Sequence, residues 1–121
     1  MAVAQGSKRV LVVEDEFLIA RDIEKMLCDL GIEVVGPASS LQSALYLARN
    51  ADFNGAVIDV NLSDESFVAP VVDVLSERHI PFVFAAGCRS AGTNVLPTGC
   101  VRLAKPFSVD QLRDVIGIML H

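Results

Sequence analysis

Seven residues, Gly55-Ala56-Val57-Ile58-Asp59-Val60-Asn61, constrain most strongly what this chain can fold into. An apolar run leads into a single carboxylate, and a polar, loop-like stretch follows it. A continuous apolar segment of this length, bounded by polar residues, reads as a strand buried on both faces. Such strands build parallel sheets, and ligands bind those sheets at the carboxyl ends of the strands. Asp59 stands at such an end. Taken alone it reads as a residue that merely closes a strand; the rest of the chain reverses that reading.

Arg9-Val10-Leu11-Val12-Val13 is a second buried-strand run, and it stops abruptly at Glu14-Asp15-Glu16. Three consecutive acids repel one another unless a cation sits among them. Glu16 suits the positive end of a following helix, whereas Glu14 and Asp15, abutting the strand, are better explained as cation ligands. From Phe17 to Leu30, Ile19, Ile23, Met26, Leu27 and Leu30 recur at helical spacing, and Gly31 is a suitable stop. Ile32 to Pro37 forms a shorter, mixed strand of the kind found at a sheet edge. Ser39 or Ser40 caps a second helix with Leu41, Ala44, Leu45 and Ala48 inward.

After the Asp59 strand, Asn61 to Ser66 reads as a loop. A third helix then carries Phe67, Val71, Val74 and Leu75 inward, with Pro70 tolerated only near its first turn. Ile80 to Gly87 is a fourth buried strand. Cys88 to Gly99, with Gly92, Thr93, Asn94 and Pro97, supports at most a short helix. Cys100 to Ala104 is a fifth strand ending in Lys105-Pro106-Phe107. Ser108 and Gln111 form a capping box for a last helix with Leu112, Val115, Ile116 and Met119 inward. Ile118 and Leu120 are apolar beyond that stripe, which reads as a partner surface, a homodimer contact among them, or as ordinary scatter.

Five strands alternating with helices predict an α/β domain over 9–121, preceded by a disordered leader over 1–8. Right-handed crossovers favour a flavodoxin-like five-stranded parallel sheet in the order 2-1-3-4-5 with helices on both faces. That order sets strands 1, 3 and 5 near one another, so that Glu14, Asp15, Asp59 and Lys105 converge from distant parts of the chain. Hard oxygen ligands with open positions suit Mg2+. An Asp carboxylate can attack phosphorus, and a metal with a lysine stabilises the charge on the transferring group. Pro106 can fix the direction of Lys105, and the bond between them is a candidate for a cis peptide.

Composition narrows the partners. A chain of 121 residues is expected to be one domain with no room for an output module, unless it is a fragment of a longer regulator. Its formal net charge of −5 counts against nucleic acid or an anionic membrane as main partner. No apolar run approaches the roughly 18 residues that span a bilayer, and the first residues do not form a signal peptide. Cys28, Cys88 and Cys100 lack metal-binding spacing and read as reduced thiols of a cytoplasmic protein.

Three motifs, Val12-Val13-Glu14-Asp15-Glu16, Val57-Ile58-Asp59-Val60-Asn61-Leu62 and Lys105-Pro106-Phe107, resemble in order and spacing a receiver domain of a two-component response regulator. The resemblance covers nearly the whole chain from Arg9 onward. It implies that Asp59 accepts a phosphoryl group from a histidine kinase or phosphotransfer protein. It further implies that Asp15 and Asp59 ligate Mg2+ directly, Asn61 through its backbone carbonyl and Glu14 through water, and that Lys105 contacts the acyl phosphate. Such a domain is a signalling protein rather than an enzyme, and acts by binding a downstream protein that the sequence does not name.

Two positions depart from the family. A Thr or Ser usually ends the fourth strand, and here Ala86 stands before Gly87, resembling receivers that read Phe-Ala-Thr-Gly but without the hydroxyl. A Tyr or Phe is common three residues before the lysine, and here the residue is Arg102. Ala86 favours a second reading, a pseudo-receiver that binds proteins without phosphorylation; the intact acids and Lys105 oppose it. A third reading, a Mg2+-dependent phosphohydrolase with Asp59 as nucleophile, would resemble the haloacid dehalogenase group, which carries a second Asp two residues after the nucleophile; Asn61 stands there and cannot act as a general acid.

Overall fold

The computed structural model describes residues 8–59, 65–86, 101–104 and 108–120, with the backbone alone at 59, 65–68, 86 and 101–104. Five strands, β1 (Arg9–Glu14), β2 (Glu33–Ala38), β3 (Gly55–Asp59), β4 (Phe82–Ala86) and β5 (Val101–Ala104), are described together with four helices. The helices are α1 (Phe17–Asp29), α2 (Leu41–Asn50), α3 (Glu65–Glu77) and α4 (Val109–Met119). All strand pairs are parallel, in the order β2-β1-β3-β4-β5.

The apolar strands need cover on both faces, and they receive it in two separate cores. Alternation along β1 sends Leu11 and Val13 to the side of α2 and α3, where they meet Ala44, Ala48, Val71, Leu75 and Phe84. Val10 and Val12 face α1 and α4, among Ile23, Leu27, Leu112, Ile116 and Met119. Gly55, at the start of β3, lets α4 approach closely: a Cβ there would lie 2.6 Å from the Met119 methyl.

Helix ends follow local chemistry. Ser40 is the residue that caps α2, in a capping box with Ser43; Ser108 and Gln111 cap α4 likewise. α1 ends in a Schellman turn, with Gly31 at φ +79, its N–H on the Cys28 carbonyl and the Ile32 N–H on that of Leu27. α3 ends in the same pattern through His79, at φ 59. Arg78, just before it, donates to the carbonyls of Ala48 and Ala51 and lies 5.3 Å over the Phe53 ring. One side chain thus ties the end of α3 to the end of α2.

Three local expectations need correction. α3 begins at Glu65 rather than after Ser66, so Pro70 sits inside the helix. An acid at the positive end of the dipole favours the earlier start, and the buried Val71 and Leu75 offset the hydrogen bond that Pro70 cannot donate. The second strand runs one residue later than expected, ending at Ala38. It carries an extra residue against β1, because Leu11 pairs with Val35 and Val13 with Ala38. Leu120 does not join an exposed apolar pair: it packs on the α1–α4 core, whereas Ile118 is 66% exposed. The expected short helix within Cys88–Gly99, the leader up to residue 7 and the Lys105–Pro106 bond lie outside the described residues.

Candidate functional site

β1 and β3 are neighbours although α1, β2 and α2 intervene in sequence. α1, which follows β1, packs on one face of the sheet and α3, which follows β3, on the other, so the chain leaves the carboxyl ends of these two strands in opposite directions. A crevice opens at such a switch point. The register places Glu14 opposite Asp59 there, as the last pair of the β1–β3 ladder. Acids separated by some forty-five positions of sequence are adjacent for a reason of topology alone.

Glu14 is the one buried charged side chain among the described residues, at 1% exposure. Burying a carboxylate is costly unless hydrogen bonds or a cation compensate it. Its Oε2 accepts the backbone N–H of Glu16 at 2.7 Å. Glu16 is the N-cap of α1, and its own side chain makes no capping bond. The carboxylate of Glu14 therefore holds the entry to α1, a role that spacing could not reveal. Asp15, the next residue, is exposed. Phe17 and Leu18, which begin the helix, are 69% and 74% exposed, and Arg21 lies 5.7 Å over the Phe17 ring.

The far side of the sheet ends in a second aligned pair, Ala86 of β4 opposite Ala104 of β5. Lys105 follows Ala104 directly in the chain, and Gly87 follows Ala86. Lys105, Pro106, Asn61 and Gly87 lie outside the described residues, as do the side chains of Asp59, Ala86 and Arg102. Among the described residues no three His, Cys, Asp or Glu side chains form a group that could hold a metal. The donor set nevertheless suits a hard cation: a buried carboxylate at Glu14, a second acid at Asp15, and Asp59 in register with the first. No described helix is long and apolar enough to cross a membrane.

No family model matches the chain. It is 32% identical over 114 residues to the transcriptional regulatory protein PdtaR of Mycobacterium tuberculosis, covering 92% of this chain and 56% of that protein. It is 30% identical over 117 residues to the phyllosphere-induced regulator PhyR of Methylorubrum extorquens, covering 94% and 44% respectively. The chain thus spans about half the length of the curated relatives it matches. The solution structure of SdrG from Sphingomonas melonis shares the fold over the whole of both chains, with 31% identity and a TM-score of 0.80. A BeF3-activated conformation of SdrG also superposes, at a TM-score of 0.75. On fold alone, at 23% identity and a TM-score of 0.79, the chain resembles the receiver domain of the sensor histidine kinase PA1611 of Pseudomonas aeruginosa. That match covers 95% of this chain and 98% of the PA1611 domain, which has magnesium in its active-site cleft. Full-length similarity to SdrG, on a parallel sheet whose first and third strands end in paired acids, places the chain in the family of response-regulator receiver domains.

Proposed function

We propose that this receiver accepts a phosphoryl group on Asp59 and signals by binding another protein. The observation that carries the reading is the register of Glu14 with Asp59 at the switch point between β1 and β3. In the transfer, the N–P bond of a donor phosphohistidine breaks as a carboxylate oxygen of Asp59 bonds to phosphorus, and the imidazole leaves. Asp15 and Asp59 would hold Mg2+ directly, Asn61 through its carbonyl and Glu14 through water; bound there, the ion neutralises charge on the phosphoryl oxygens. Lys105, the next residue in the chain after β5, would contact the same oxygens as a point charge. The donor is a histidine kinase or a phosphotransfer protein, and the setting is the cytoplasm. The activated form of SdrG with BeF3, a phosphoryl mimic, supports a phosphorylation switch in this group.

Ala86 favours a second reading. Its register partner is Ala104, so neither β4 nor β5 ends in a hydroxyl that could bind phosphate. A pseudo-receiver would keep the fold and bind its partner without modification.

Intact mass after incubation with Mg2+ and acetyl phosphate separates the two. One labile phosphate on the wild type and none on Asp59→Asn is the expected result. No addition to the wild type, from acetyl phosphate or from a cognate kinase, would establish the pseudo-receiver.

A further inference from the structure

Glu14 ends β1 opposite Asp59 in the β1–β3 register, and its buried carboxylate accepts the Glu16 N–H at 2.7 Å. We infer that Glu14 is a positioning residue that couples cation occupancy of the acid site to the first turn of α1. This rests on the proposed cation reading of the site.

Glu16 is extended, at φ −103 and ψ 118, and its carbonyl takes the N–H of Ala20 at 2.9 Å, so it closes the first turn. α1 has no side-chain cap of its own and no acid in that turn. Helices lacking these devices fray at their first residues. The anchor for this one comes from outside the helix, from the end of β1. Glu14, Asp15 and Glu16 together place three negative charges on consecutive residues at that anchor. Without a cation their repulsion opposes the compact turn; a divalent ion among them removes the repulsion and fixes the Glu14 carboxylate in place. The Glu16 N–H then meets a better-held acceptor. The turn so tightened is the one that presents Phe17 and Leu18, exposed at 69% and 74%. Filling the site would therefore order an apolar surface beside it without any movement of the sheet.

Amide hydrogen exchange of Glu16, followed by NMR with and without Mg2+, tests the coupling. In the wild type, Mg2+ should slow that amide roughly tenfold, the factor that accompanies one well-held charge-assisted hydrogen bond. Glu14→Gln keeps an oxygen for the Glu16 N–H but carries no charge: without metal its protection should fall between those of the wild type and Glu14→Ala, and the Mg2+ effect should vanish. Glu14→Ala should lose protection even without metal, while amides of the buried Leu27 and Val57 report an intact fold. Equal Glu16 exchange in wild type and Glu14→Ala would overturn the clamp. An undiminished Mg2+ effect in Glu14→Gln would overturn the coupling. If no wild-type resonance responds to Mg2+, the cation reading itself fails and the coupling with it; the metal-free comparison still judges the clamp separately.

Discussion

Gly36 is where the fold most depends on one atom being absent. It lies in the extra residue of β2, at φ +96, beside the strand that ends in Glu14. A Cβ there would stand 2.8 Å from the Ala38 nitrogen and 3.2 Å from the Val12 carbonyl oxygen. Both are backbone atoms inside a sheet, so neither can rotate away. Two costs follow from Gly36→Ala: the positive φ costs about 1–2 kcal/mol, and the overpacking about 1–3 kcal/mol. The sum, about 2–5 kcal/mol, is a large part of the ~5–15 kcal/mol that holds a domain folded. With a urea slope of about 1.5 kcal/mol/M, the unfolding midpoint falls by roughly 1–3 M. Gly31→Ala is the control. Gly31 has φ +79 and nothing within 4 Å of its missing Cβ, so only the dihedral cost applies. Urea titrations of both variants, followed by circular dichroism, give the comparison. If Gly36→Ala is no less stable than Gly31→Ala, the steric account of the β1–β2 bulge is wrong.

Two further outcomes are accessible to the same titration. Arg78→Ala removes the donor shared by the Ala48 and Ala51 carbonyls and the cation over Phe53; a loss of about 2–4 kcal/mol is expected, against less for Arg78→Lys, which keeps the charge. Gly117→Ala should stabilise by about 0.5–1 kcal/mol, because a Cβ at this exposed helical position meets nothing within 4 Å; a destabilised variant would show that α4 needs the glycine.

Much of the architecture was legible in local pattern. The unbroken apolar runs at Val10–Val13 and Gly55–Ile58 mark buried strands because a doubly covered strand has no polar face to display. Ser108 with Gln111 marks a helix start because its free amides need side-chain acceptors close in sequence. Gly31 marks a helix end because a positive φ excludes most other residues. Where two local solutions were equivalent, as between Ser39 and Ser40, or where burial outweighed propensity, as at Pro70, spacing gave no decision.

By itself, then, the sequence determined which of the described segments become strands and helices, where α1 stops and α4 starts, and which acids end a strand. These depend on interactions spanning a few residues. The tertiary structure decided what those residues face. Only the crossing of α1 and α2 to opposite sides of the sheet sets Glu14 in register with Asp59. Only the close packing of α4 against β3 turns Leu120 inward and leaves Ile118 out. Only the burial of the β1 terminus commits the Glu14 carboxylate to the Glu16 amide. Each is a contact whose geometry exists only once the chain has closed on itself.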